Sequence, residues 1–188
     1  MAGFGANYIK FNPIKEQPED QLPTYREEPP VEIGRLVKAD LTVNLASGEL
    51  YAGDELAESL SEFASGTLAV ETDDMEDSVA SVVYGCEVQE KEAHYKSGDT
   101  APEGGLAYYK TLMRHGKKVY KGIFHPRVKA ALGNDSAQTR SNSITFTTTT
   151  TTFTVMACNS EDWRITEEFD KVTEVKAWID KKLSGAAG

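Results

Sequence analysis

Apolar and polar residues alternate along residues 37–45, where Val, Ala, Leu, Val and Leu occupy every second position. A period of two places successive side chains on opposite faces of a strand, so this run predicts a β-strand with one buried face. Residues 46–49, Ala-Ser-Gly-Glu, predict the turn that ends it, and Leu50 begins the return strand. The pattern continues at Leu68 and Val70. The first half of the chain is therefore predicted to be antiparallel β-structure.

Two segments show the period of a helix instead. The first follows Asp73, with Glu76 three residues later as in a capping box, and Gly85 as its left-handed end. The second is predicted over residues 167–183, with Thr166 as its cap and lysines in its last turn. Its apolar stripe, widened by Trp178, consists of Phe169, Val172, Val175, Ile179 and Leu183.

Further strands are predicted between the helices. Residues 86–94 are predicted to be one strand with acidic residues on both faces. Two β-rich runs flank His115-Gly116-Lys117, which predicts a hairpin with glycine at a positive φ. Pro126 interrupts the second run and indicates an edge or a bend. Together the elements predict a mostly β (α+β) fold, a β-sandwich or barrel with a short flanking helix and a C-terminal helix.

The first thirty residues stand apart by their proline content, because five of the seven prolines fall there. Proline has no backbone N–H and fixes φ, so this segment is expected to be neither a helix nor a central strand. We therefore predict an extended N-terminal arm over residues 1–30 and a single domain over residues 31–188. The arm has four large apolar side chains that need a partner surface, unless the terminus is simply frayed: Phe4, Tyr8, Ile9 and Phe11.

Six consecutive threonines, 147–152, separate Phe146 from Phe153. Residues seven apart on an unbroken strand point to opposite faces, so these phenylalanines cannot share a core across a regular strand. The run is predicted to be a strand that changes face, either at a bulge, bend or turn or by passing between packing layers.

Composition and charge restrict the classes of function. A chain of 188 residues, 39% hydrophobic and 27% charged, suits one soluble domain. Its net charge of −10 repels nucleic-acid phosphates and anionic membranes. Apolar runs are shorter than the roughly 18 residues that span a bilayer, and the start lacks the apolar region of a secretory signal. Synthesis in the cytoplasm is therefore expected.

The chain contains no motif of a catalytic or metal site. None of its three histidines has a second histidine at metal spacing, and no phosphate loop, dinucleotide fingerprint or nucleophile elbow is present. Cys86 and Cys158 are predicted to be reduced thiols, with a bridge as the alternative. We expect no enzyme activity, cofactor or metal. Glu87, Glu90 and Glu92 form either a solvated strand or an electronegative functional surface.

Several stretches of the second half follow one another in a distinctive order: GGLAYYKTLMRHGKKVYKGIFHPRVKAAL, SAQTRSNSITF, the threonine run, EDWRITEEFD and VTEVKAWIDKKL. In this order they resemble the major tail proteins of long-tailed bacteriophages with non-contractile tails. The resemblance covers roughly residues 84–183. The threonine run departs from the family pattern, in which more varied residues are expected.

The resemblance implies a fold, an assembly and partners. Proteins of this family are β-sandwiches or barrels flanked by a helix, and they form hexameric rings that stack into a tube for the phage genome. Expected partners are further copies of the chain, the tape-measure and tail-terminator proteins, and genomic DNA that passes without specific binding. No membrane is expected among them. The protein would be made in the host cytoplasm and reside in the virion tail.

The resemblance also assigns candidate residues. Glu87, Glu90 and Glu92 are candidates for the lumen of the tube. Contacts between subunits or rings are expected at Phe4, Tyr8, Ile9, Phe11, Thr147, Thr149 and Thr151. Two other functions stay open, namely an Ig-like β-sandwich module for recognition or adhesion on a phage or bacterial surface, and a small β-barrel enzyme or ligand carrier.

Overall fold

The computed structural model describes residues 2–52, 55–90, 92–132 and 148–184. Eleven strands and two helices lie within these ranges, and they confirm the predicted mostly β fold class. In chain order the elements are β1 (Ala2–Glu16), β2 (Thr24–Tyr25), β3 (Val31–Gly34), β4 (Leu36–Ala52), β5 (Glu55–Thr72), α1 (Asp77–Tyr84), β6 (Glu87–Gln89), β7 (Glu92–His94), β8 (Glu103–Arg114), β9 (Lys117–Ala130), β10 (Thr149–Met156), β11 (Ile165–Phe169) and α2 (Val172–Leu183).

Nine of the described strands form one antiparallel sheet in the order β2-β1-β8-β9-β10-β5-β4, with β3 also paired to β1 and β11 to β9. β1 and β10 are three strand spacings apart, about 14 Å in a flat sheet. The rings of Phe11 on β1 and Phe153 on β10 nevertheless lie only 6.1 Å apart. The sheet therefore curls over a shared core in a sandwich-like arrangement.

The side chains of β8 alternate between two cores. Leu106 and Tyr108 point to the inner core, together with residues of β1, β5, β10 and α1. Ala107 and Tyr109 point to the other face, which α2 covers. The fully buried helix side chains there are Val175, Ile179 and Leu183, which confirm these members of the predicted apolar stripe, whereas Phe169 of that stripe lies in β11. Burying three such side chains favours folding by roughly 1.5–3 kcal/mol each.

The first thirty residues do not form a separate arm. Most of β1 pairs with β8, and its other edge pairs with β3 and β2. Only one of the five early prolines lies in this strand: Pro13 stands near its end, opposite Gly104, where its carbonyl accepts the Arg26 N–H at 3.0 Å. The expectation that proline excludes a central strand was wrong, because a single proline near a strand end removes only one donor.

The hairpin of β4 and β5 is longer than predicted. The expected turn at residues 46–49 is wrong, since Ala46, Ser47 and Gly48 pair with Glu62, Ser61 and Leu60 within the ladder. Residues 46–48 are exposed, so the small and polar residues that are typical of a turn can occur here within a strand.

Both helices begin later than predicted. Glu76 is the residue before α1 and makes no side-chain cap, while the Asp73 carboxylate accepts the Arg35 N–H at 2.8 Å. Gly85 ends the helix at φ 76°, as predicted. Residues 165–169 are not helical but form β11, whose ladder with β9 occupies the backbone up to Phe169.

The remaining turns divide between confirmed and corrected predictions. His115 and Gly116 form the β8–β9 turn at φ 46° and 78°, as expected. Pro126 lies where β9 passes from pairing with β11 to pairing with β10, and the β8–β9 register shifts there, which agrees with the expected bend. Residues 86–94 contain a β6–β7 hairpin rather than one strand, with Glu90 in its turn at φ 54°.

The threonine run does form a strand from Thr149 onward. Its pairing with β5 continues without a register shift from Thr149 to Val155, so no bulge changes its face there. Phe146 and Thr147 lie outside the described residues.

Candidate assembly surfaces

The far parts of β4 and β5 project from the sheet as a two-stranded ribbon, formed by residues 44–52 and 55–65. β5 pairs with β10 only from Gly66 to Thr72, whereas its pairing with β4 continues to the far end of both strands. Among the described strands, none pairs as a third with the ribbon. It extends roughly 30 Å at the usual rise per residue.

Leucines are exposed on both faces of this ribbon. Leu45 and Leu60 each expose 61% of their surface, and Val43 beside the ribbon exposes 38%. Leu60 pairs with Gly48, three positions beyond Leu45, so the two leucines point to opposite faces. Apolar side chains are therefore exposed to solvent on both faces of the ribbon.

The ribbon also has a free backbone edge. β4 is the last strand in the sheet order, and among the described residues its outer edge beyond residue 43 has no pairing strand. An isolated two-stranded hairpin is marginally stable in water. A long unpaired edge with apolar neighbours is a template for pairing with another chain. The ribbon is therefore the surface best suited to bind a protein neighbour.

The three acidic candidates lie together on the β6–β7 hairpin. Glu87, Glu90 and Glu92 are all exposed. Glu87 is bound by Lys96 at 2.6 Å, and this hydrogen-bonded ion pair lowers the pKa of its carboxyl group. Glu92 lies 3.6 Å from the Nε2 atom of His94. The cluster is a solvated acidic hairpin that Lys96 partly neutralises.

The threonines of β10 divide between the two faces of the sheet. Thr151 is buried, and its hydroxyl lies 2.8 Å from the Tyr84 hydroxyl, so it contacts the chain's own core and not a neighbour. Thr149 shares this inner face and is partly buried. The opposite face carries the partly or fully exposed side chains of Thr150, Thr152 and Thr154. An uncharged hydroxyl surface thus exists on this strand, at alternate positions to those predicted.

Two of the arm candidates are core residues. Ile9 and Phe11 are fully buried within the chain and offer no surface to a neighbour. Tyr8 faces α2, where its hydroxyl donates to the Asp180 carboxylate at 3.0 Å. Phe4 lies in β1 opposite Thr111.

The most buried titratable group among the described residues lies in the interior of the chain. His125 is fully buried, and its Nδ1 atom lies 3.1 Å from the Trp163 carbonyl oxygen, which fixes the Nδ1–H tautomer because a carbonyl can only accept. The Nε2 atom has no partner in the described part of the chain. Burial lowers the pKa of this imidazole to about 4. It is therefore a neutral core residue.

The described residues contain no group of three His, Cys, Asp or Glu side chains that could hold a metal ion. Cys86 and Cys158 are both buried and unbridged. Neither described helix is long and apolar enough to cross a bilayer. The apolar and polar pattern of the sequence did not predict the ribbon, although the Gly-Asp pair at positions 53–54 is a dipeptide typical of two-residue hairpin turns.

No protein-family model and no curated protein matches the chain.

Proposed function

We propose that this chain is a structural protein that assembles with copies of itself into stacked rings, forming the tail tube of a long-tailed phage with a non-contractile tail. The ring of six and the tube come from the resemblance in the second half of the sequence. The observation that carries self-assembly is the ribbon, with two 61%-exposed leucines and an unpaired edge. A neighbouring copy would bury the leucines and continue the ladder.

The net charge supports the conduit part of the proposal. At −10 per chain, a ring of copies surrounds its centre with negative charge, which repels DNA phosphates. The exposed acidic residues Glu87, Glu90 and Glu92 are the proposed lumen candidates. Passing DNA would then slide without sticking.

The direct test is the assembly state of the purified full-length chain, measured by sedimentation velocity and negative-stain electron microscopy. We expect rings or tubes at high concentration. The variant L45S/L60S should raise the concentration needed for assembly by roughly tenfold or more, since each leucine loses on the order of 1–3 kcal/mol of apolar burial. V37S is the matched control, because Val37 is also exposed on β4 but lies outside the ribbon.

Persistent monomers of the wild-type chain at high concentration would contradict the proposal. That result would favour the recognition or adhesion module, which needs no self-association.

A further inference from the structure

A cleft of about 570 Å³ opens beside α1, at the end of the sheet where β8 begins and β9 ends. Its apolar walls include Met75, Tyr84, Tyr95 and Leu132. Tyr95 and Leu132 each expose 58% of their surface among the described residues. Large apolar side chains that are exposed at one cleft are typical of a binding surface.

Carboxylates form the rim of this cleft. Asp74, Asp77 and Asp99 line it together with Lys96. The Lys96 ammonium is already paired with Glu87, which lies outside the lining. Asp74 and Asp77 form no ion pair with any described residue. The rim therefore favours a cationic guest whose stem can lie on apolar walls.

The opposite end of β8 and β9 carries cationic side chains with apolar stems. The exposed β8–β9 turn is followed by Lys117 and Lys118, both exposed and without an ion pair among the described residues. The neighbouring Arg114 is already bound by Glu168. Lysine side chains combine an apolar stem with a charged head, which suits a cleft with tyrosine and leucine walls and a carboxylate rim.

One chain cannot bring these two surfaces together. The 12 residues of β8 separate them by about 40 Å at the rise of a strand, several times the screening length in physiological salt. A second copy of the chain can. We propose that the basic turn of one copy docks in the acid-rimmed cleft of the next, so that identical chains join head to tail. Such a contact is heterologous and builds rings or filaments.

This inference rests on the proposed self-assembly and names the surfaces that meet. The test uses two charge-reversed variants of the full chain, K117E/K118E in the turn and D74K/D77K in the cleft. Each alone places like charges in the contact, and we expect the concentration needed for assembly to rise on the order of 100-fold. A 1:1 mixture should restore assembly, because every contact in an alternating array again joins opposite charges.

Sedimentation velocity and electron microscopy measure assembly, and thermal unfolding checks that each variant is folded. K171E/K181E makes the same charge change as K117E/K118E at two exposed positions, the residue before α2 and one in its last turn, and should assemble like wild type. If D74K/D77K does not fold, D74N/D77N replaces it and should raise the required concentration about tenfold.

The outcomes separate the two proposals. A wild-type chain that stays monomeric overturns the proposed function, and the head-to-tail contact with it. A wild-type chain that assembles, while the folded reversed variants assemble equally well, overturns the head-to-tail contact alone. So does a mixture of the two folded variants that does not assemble.

Discussion

Gly104 stands where β8 passes close to the ring of Phe11. A Cβ atom at this position would lie 2.4 Å from two carbons of that ring and 2.7 Å from the Asn12 carbonyl oxygen. G104A should therefore lower the free energy of unfolding by about 1–3 kcal/mol through overpacking. This corresponds to a decrease of roughly 2–12 °C in Tm, measured by thermal unfolding. G48A is the control, since a Cβ there meets open space, and an equal loss in both variants would contradict the packing explanation.

A second single residue, His125, makes the free energy of unfolding depend on pH. Burial lowers the pKa of His125 from 6.5 to about 4 in the folded chain, so its contribution is present above pH 6.5 and lost as pH falls towards 4. The full loss is on the order of 3 kcal/mol. Urea unfolding between pH 7 and 4.5 should show this decline. H125Q cannot titrate there, and an equally steep decline in that variant would assign the effect to other groups.

At the scale of elements, the sequence correctly predicted the helices and strands whose apolar positions are the ones that the fold buries. The stripe of α2 and the β8–β9 hairpin agree with the structure because each buries the face that its periodicity marks. The start of α2 could not be found in this way. Thr166, Glu167 and Glu168 are good helix-start residues, but the ladder with β9 holds them in a strand. Long-range pairing therefore overrides the local preference.

The candidate surface was harder to predict than the fold, because exposure depends on which strands are absent nearby. Ile9 and Phe11 looked like unpartnered groups in sequence, yet β8 and β3 enclose their strand. Leu45 looked like a core residue by its alternation with polar neighbours, yet no third strand reaches it among those described. Only the order of strands in the sheet distinguishes the two cases.

At the scale of the whole molecule, the ribbon can be separated from the fold. Leu45 and Leu60 belong to neither core, and among the described side chains neither core includes one from residues 47–61. Replacing these residues with Asn-Gly, a two-residue turn between Ala46 and Glu62, should therefore leave the unfolding midpoint within a few degrees of wild type. Assembly should be lost, because the chain no longer has Leu60 or most of the free edge of the ribbon.

The control for this excision is the double variant L45S/L60S, which keeps the backbone of the ribbon and removes only the side chains of Leu45 and Leu60. Thermal unfolding and sedimentation velocity of both variants distinguish the contribution of the ribbon's backbone edge to assembly from the contribution of its side chains. If the excised chain fails to fold, the ribbon stabilises the monomer. If it folds and still forms tubes, neighbours bind elsewhere on the sheet. A folded monomer from the excision, with partial assembly of the double variant, would show that a neighbouring copy pairs with the edge as well as covering the leucines.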